Sequence, residues 1–429
     1  MIIEFISNKP GYNAIVVSSK SNKNIDIFIS DFVSIILASK NIKNIVKYKR
    51  HNDDNIVFDL ELLDKHFVNA FINRIIQGLY SFDKYISKNS KNSKVLFFAP
   101  QLTVQHKNDI NILCQNACLT RNMINEPSNK STPTMMSSNV SKMFKNNKNI
   151  TVKILSDKDI KKKGLGLIDA IGNSSANNAR FIIIDYHPKN SKKTICLVGK
   201  GVTIDTGGYS IKSSHSMYNM HMDKTGASVC IGLLKALSQV NYKNRIIVLC
   251  PLVENVISNN SVKPNDIIKA YNGQTVEIVN VDAEGRLILA DALSYACKNY
   301  NPDYIFDFAT LTGWSERIHC HTSFTYFTLS NKLSNTIVTI GDKYAERSIR
   351  MPPWTDYLYF IKSNIADVKN YNFDCQNSDG VMASIFLMNF IPQQYRKKWI
   401  HFDIRLNSYN NNVNIADGFA SYYNMLLQL

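Results

Sequence analysis

From about residue 150 onward, short apolar runs alternate with longer segments of helical spacing. TVKIL, FIIIDY, TICLVG, RIIVLCPLV, VEIVNV, YIFDFATL and WIHFDI are rich in β-branched and aromatic residues, as strands are. SVCIGLLKALSQ, ILADALSYACK and MASIFLMNFI carry apolar residues three and four apart, as helices with a buried face do. This alternation predicts an α/β domain around a central mixed, largely parallel sheet. Sheets of this kind present their sites in loops beyond the carboxyl ends of the strands. Those loops are where chemistry is expected.

The first 120 residues form a separate unit in this reading. IIEFI, AIVV, IDIFI and NIVFDL predict short strands, FVNAFINRIIQGLYSF a helix, and VLFFAP a buried strand. RNMINEPSNKSTPTMM, with two prolines and several Asn and Ser residues, marks a boundary near 120 to 135. The expectation is a two-domain α/β subunit, with one domain over 1–120 and the second over 121–429. Residues 140 to 163, rich in Lys and Asn, are expected at a solvated surface.

Composition narrows the function classes. No run of eighteen apolar residues occurs, so no membrane-spanning helix is expected. The N-terminus, MIIEFISNKP, lacks the order of a secretory signal. The eight cysteines form no C-x-x-C pair, and several lie in apolar runs. Buried free thiols and a reducing, cytoplasmic location are the expectation. The net charge of +16 would attract nucleic acid or other polyanions. Its lysines are scattered among Asn and Ile, however, a bias that an AT-rich coding sequence also produces, so the support for nucleic acid is weak.

Three segments concentrate the acidic chemistry. They are Gly199 to Lys212 (GKGVTIDTGGYSIK), Met222 to Gly226 (MDKTG) and Asn280 to Arg286 (NVDAEGR). Each places carboxylates beside glycines at the end of an apolar strand. Carboxylates that converge on one cleft repel each other, and divalent cations supply the missing charge compactly. Two ions about 3.5–4 Å apart make a typical hydrolytic centre. In an extended loop, Asp282 and Glu284 point the same way. DAEGR also reads as the acidic first turn of the following helix, favoured by the helix dipole. The sequence contains no G-x-x-x-x-G-K-S/T phosphate loop, no G-x-G-x-x-G opening a helix and no G-x-S-x-G elbow.

These segments closely resemble the leucyl aminopeptidase family, the M17 metallopeptidases. NVDAEGRL is one residue from that family's NTDAEGRL, and GKGVTIDTGGYSIK resembles its GKG segment ending in SIK. INEPSNKSTP, GLGLIDAIGNSSANNARFIIIDY, FATLTG and SNIADVKN extend the likeness over about 120 to 400. The resemblance implies a variable N-terminal domain, a C-terminal catalytic domain, six subunits in a homo-oligomer, and peptide substrates. It implies two divalent metal ions, zinc or manganese. Asp205 and Glu284 would bridge them, Lys200 and Asp223 would complete the tighter site, and Asp282 the looser one. Lys212 would stabilise the oxyanion, and Arg286 would hold a bicarbonate that serves as base. The reaction would be hydrolysis of the N-terminal peptide bond. Met217, Thr310, Thr312 and Gly313 match the pocket for the N-terminal side chain.

Several residues depart from the family. Val281 replaces a threonine, and Lys224-Thr225 stand where small or apolar residues are usual. The lysine would either weaken the local field or turn to solvent. Trp314 takes a small residue's place, and Arg405 and Leu406 replace Ala-Gly. An Arg405 directed into the pocket would pair with an acidic N-terminal residue; turned outward, it would not. Two other readings stay open: a peptidase-fold protein with weak or no hydrolysis and a structural or nucleic-acid-binding role, and a dipeptidase or cysteinylglycinase.

Overall fold

The computed structural model describes residues 2–7, 47–51, 55–61, 63, 65–78, 80–87, 94–319, 323–406, 414 and 416–429. The expected strands AIVV and IDIFI lie outside these. The chain divides into two compact units. One comprises Met1–Cys118, Thr339–Glu346 and Ala420–Leu429, and the other Leu119–Val338 and Arg347–Phe419.

In the first unit, strands β1 (Ile2–Phe5), β2 (Lys47–His51), β3 (Asn55–Asp59) and β4 (Lys94–Phe98) form a sheet in the order β1-β4-β3-β2. Helix α1 (Lys65–Gly78) buries Val68, Phe71, Ile72, Ile75 and Ile76, a stripe at three and four spacing. They join Phe58 and Phe97 in one apolar cluster. Helix α2 covers Val104–Asn125, so the first residues of the expected boundary segment are helical.

The second unit opens with α3 (Pro133–Phe144), β5 (Ile150–Leu155), α4 (Asp157–Lys162), α5 (Gly166–Gly172) and β6 (Arg180–Tyr186). Strands β7 (Thr194–Gly199) and β8 (Gly201–Asp205) follow, then α6 (Thr225–Gln239) and β9 (Arg245–Asn255). Next come β10 (Ile267–Lys269), β11 (Thr275–Glu277), α7 (Glu284–Tyr300), β12 (Tyr304–Ala309) and α8 (Trp314–His319). The unit continues with β13 (Ser323–Phe327), the first half of α9 (Asn331–Tyr344), β14 (Arg347–Met351), β15 (Val368–Lys369), α10 (Asp379–Asn389) and β16 (Trp399–Asp403).

Its nine-stranded sheet runs β14-β13-β16-β12-β7-β9-β6-β5, with β8 also on β9. It is mixed, as expected. The central pairs β16/β12, β12/β7, β7/β9 and β8/β9 are parallel, and β5, β6 and the β13/β16 junction bring in antiparallel pairing. The central strands are buried from their second residue onward, the pattern of a sheet covered on both faces. VEIVNV departs from the expectation. Only its first residues pair, within β11, and they do so in a separate three-stranded sheet with β10 and β15.

At Lys200 the chain leaves one neighbour. β7 pairs with both β12 and β9, whereas β8 pairs with β9 alone. The slot that opens beside β12 receives the start of α6. Gly226 makes that approach possible: a Cβ there would lie 1.9 Å from the Phe308 carbonyl oxygen. Of the described cysteines, Cys114, Cys196, Cys230, Cys250 and Cys297 are buried and Cys118 and Cys375 half-buried, and no disulfide joins any two of them. Among the described residues, no helix is long and apolar enough to cross a membrane.

Candidate metal centre

The carboxyl ends of the parallel strands carry the acidic residues. Asp205 ends β8, Thr310 follows β12, and Asp403 ends β16. Lys200 sits at the β7–β8 joint, with its N–H bonded to the Phe308 carbonyl at 3.0 Å. Asp223 lies two residues before α6. Glu284 is the first residue of α7 and Asp282 precedes it in a turn. DAEGR is therefore both the site segment and a helix entry, and Asp282 and Glu284 are not on an extended strand.

These residues converge. Asp205, Asp223 and Glu284 are buried, and one oxygen from each lies within 4.8 Å of the others. Lys200 Nζ stands 2.7 Å from Asp223 Oδ2, 2.9 Å from Glu284 Oε1 and 3.0 Å from the Thr310 carbonyl oxygen. Lys212 Nζ stands 2.9 Å from Asp205 Oδ2 and also contacts Asp282 Oδ1. Each ammonium thus bridges two carboxylates. The Thr310 hydroxyl donates to Asp223 Oδ1 at 2.6 Å. Asn255 Nδ2 and the Gly207 N–H donate to Asp205 Oδ1 at 2.8 and 2.9 Å.

The cluster is short of positive charge, since its four carboxylates outnumber its two ammonium groups by two. Burial, then the charge of Asp205, pushes Glu284 up to about 8. Burial also raises Asp223 to about 6, against the pull of Lys200. Asp282 is raised by burial and by Asp205. Burial works against the charge on both lysines, yet the facing carboxylates hold each ammonium well above its ordinary range. Hard oxygen donors with one or two amines in a buried cluster suit divalent cations such as Zn²⁺ or Mn²⁺. The residues therefore fit metal binding.

Other residues singled out in the sequence fall around this cluster. Arg286 is the third residue of α7 and bonds none of the cluster carboxylates. Its Nη1 donates to the Asn370 carbonyl at 3.0 Å and its Nη2 to Asp379 Oδ1 at 2.7 Å. Thr312 donates its hydroxyl to Asp403 Oδ2 at 2.8 Å, Gly313 is exposed, and Met217 is half-buried in the single turn Ser214–Met217. Arg405 is buried and pairs through Nη2 with Asp417 at 2.6 Å, while its Nε and Nη1 have no partner among the described residues. Trp314 faces the core: its indole N–H donates to the Asn377 carbonyl, and its ring packs on Gly380. Lys224 does not turn to solvent. It is fully buried and donates to the carbonyls of Glu126 (2.8 Å) and His221 (2.5 Å), and burial lowers it to about 7.

Three supporting residues were not found by sequence reasoning. Asn370 accepts from the Val279 and Asn280 N–H groups and donates to the Asn280 carbonyl, fixing the turn that carries Asp282. It closes SNIADVKN, so its segment was flagged but its role was not. Asp403 takes hydrogen bonds from the Leu311 and Thr312 N–H groups and from the Thr312 and Ser315 hydroxyls. Asp379 had no sequence signal, because its partner is 93 residues away.

Comparison with known proteins gives consistent results. The model of the cytosol aminopeptidase family's catalytic domain matches residues 118–423. The chain is 36% identical over 354 residues to a "Probable cytosol aminopeptidase" of Chlorobium limicola, covering 78% of this chain and 69% of that protein. A protein of the same description from Cenarchaeum symbiosum is 36% identical over 344 residues, with the same coverage. The crystal structure of a cytosol aminopeptidase from Coxiella burnetii superposes with a TM-score of 0.79 at 28% identity, over 87% of this chain and 80% of that one. A leucine aminopeptidase of Caenorhabditis elegans gives 0.79 at 27%, over 88% and 78%. The bottromycin maturation enzyme BotP, in complex with Mn, shares the fold at a TM-score of 0.80 and 23% identity, over 97% of this chain and 90% of that one.

Proposed function

The chain belongs to the cytosol aminopeptidase family, and we propose that it hydrolyses the N-terminal peptide bond of peptides at a two-metal centre. The observation that carries this reading is the buried cluster in which two lysines each bridge two carboxylates and two positive charges are still missing. Lys200, Asp205, Asp223 and Glu284 would hold one ion. Asp205, Asp282 and Glu284 would hold the other, with Asp205 and Glu284 shared. When bound, the ions supply Lewis-acid charge and lower the pKa of water. Asp223 and Glu284 hold the proton on Lys200; a bound cation would displace it to solvent, since the amine binds metal only as the neutral base.

Lys212 is the group that meets the developing oxyanion. It reaches the cluster from the loop after β8 and keeps its proton, so it is a fixed positive charge. A preorganised charge of this kind contributes about 3–4 kcal/mol to the transition state in comparable sites. Met217, Thr310, Thr312, Gly313 and Arg405 are assigned to the pocket for the N-terminal side chain. Arg405 would present its two unpartnered N–H groups there. A homo-oligomer of six subunits is the assembly that the family resemblance implies.

The deciding experiment measures hydrolysis of a panel of aminoacyl-anilides with Mn²⁺, with Zn²⁺ and with chelator, alongside Asp282→Ala and Glu284→Ala. Metal-dependent turnover that both substitutions abolish is the expected result. Faster turnover of aspartyl or glutamyl than leucyl anilides supports the Arg405 assignment, and a leucyl preference discards it. Bound metal without turnover of any substrate favours a structural or nucleic-acid-binding role, which salt-dependent retention on DNA then tests.

A further inference from the structure

The guanidinium of Arg286 is buried, 2% exposed, and already has its anion. The Tyr371 ring lies over it at 5.8 Å from the centroid. Nη1 donates to the Asn370 carbonyl and Nη2 to Asp379 Oδ1. The Nε–H has no partner. A planar oxyanion such as bicarbonate binds a guanidinium through two parallel N–H bonds. The fork offers two such edges, Nε with Nη2 and Nη1 with Nη2. Both use Nη2, which has one N–H on each edge, and Asp379 takes one of the two. A bicarbonate on the other edge would share the single guanidinium charge with the Asp379 carboxylate across Nη2, and like charges at that distance repel. The bicarbonate that the family resemblance implies would therefore have to compete with Asp379 for this site.

We infer that the Asp379 carboxylate is the resident oxyanion of Arg286 and occupies the seat that a free bicarbonate would otherwise take. Asp379 is the first residue of α10, and its side chain is 20% exposed, so it is held without being sealed from the site. Through Arg286 it connects to Asn370, which holds the turn carrying Asp282. The Tyr371 hydroxyl is raised by burial and then by the charge of Asp379, and it feels Arg286 and Asp282 as well. Whatever proton-accepting or orienting part an oxyanion on Arg286 plays in the reaction falls to this side chain. The protein should then be indifferent to dissolved carbonate.

This inference rests on the metallopeptidase reading above. The test uses full-length wild type, Asp379→Gly and Asp379→Asn, each loaded with Mn²⁺. Turnover is measured in carbonate-depleted buffer and again with millimolar bicarbonate. Binding of ¹³C-labelled bicarbonate is measured by NMR whether or not the protein turns over. Wild type is expected to neither bind bicarbonate nor respond to it. Asp379→Gly empties the seat, so turnover falls about 10²-fold in depleted buffer and recovers with bicarbonate, which now binds. Asp379→Asn fills the seat with a neutral group, so it loses turnover and is not rescued. A merely structural role would not separate the two substitutions in this way. Bicarbonate binding or dependence in wild type overturns the inference, as does an Asp379→Gly protein that is fully active in depleted buffer or unresponsive to bicarbonate. Absence of turnover in all proteins would defeat the metallopeptidase reading, and the binding measurement would still decide the role of Asp379.

Discussion

A single missing methyl group controls where Lys200 sits. A Cβ at Gly285 would lie 2.5 Å from Lys200 Cε and 2.8 Å from its Nζ. The obstructed atoms are the end of a flexible side chain, so Gly285→Ala should fold and displace the lysine. The expected outcome is metal affinity reduced at least tenfold, about 1.4 kcal/mol, with a lower melting temperature for the metal-free protein, because two buried carboxylates lose their ammonium. Titration with Mn²⁺ under calorimetry checks it, and wild-type affinity in the variant would show that Lys200 has no part in binding metal. At this scale the sequence was informative where chemistry and spacing coincide. NVDAEGRL, GKGVTIDTGG and MDKTG pointed to residues that do meet in space. It was silent on Asp403 and Asp379, whose partners lie about ninety residues away in the chain. It also left Lys224 open between two outcomes, and the structure excludes the turn to solvent. Only the fold shows that two carbonyl oxygens wait for that ammonium.

Elements hold the site through carboxylates that receive several hydrogen bonds. Asp403, at the end of β16, ties down the segment between β12 and α8 with three of them and the start of α8 with a fourth. Thr310, at the start of that segment, bonds both Lys200 and Asp223. Asp403→Asn places an amide donor among donors. It should cost about 2–3 kcal/mol of stability, the range for losing bonds to a buried charge. Urea denaturation measures that cost, and an unchanged midpoint would mean the segment holds itself. Because Thr310 is disturbed through the backbone, metal affinity should fall in the same variant. The helices and most central strands were legible because a buried stripe and a buried strand leave different spacings. VEIVNV misled because apolar composition does not say which sheet a strand joins. Only the packing of β11 against β15, some ninety residues later, decides that.

For the whole molecule, ionisation of the cluster links pH, metal and stability. Glu284 titrates near 8 in the folded protein, against an ordinary 4.5, so between those values the metal-free fold holds a proton that the unfolded chain has released. Its contribution to stability therefore declines as pH rises from about 4.5 to about 8. Asp223, near 6, adds in the same direction over a narrower range. A divalent ion takes the proton's place and reverses the loss, so metal should raise Tm more at pH 8 than at pH 6. Paired melts of metal-loaded and chelated protein at the two pH values check this, and equal shifts would contradict it.

The lysine bridges carry a consequence for the life history of the protein. A cluster of four carboxylates would resist burial if it had to wait for metal, yet here two ammonium groups and a retained proton keep it closed. Manufacture of the chain and its commissioning thus become separate events. A newly made molecule can be finished and stored, and ions arriving later would displace the protons of Lys200 and Glu284 while Lys212 keeps its own. Which ion is abundant at that moment, rather than during synthesis, would then set the form in which the molecule enters service.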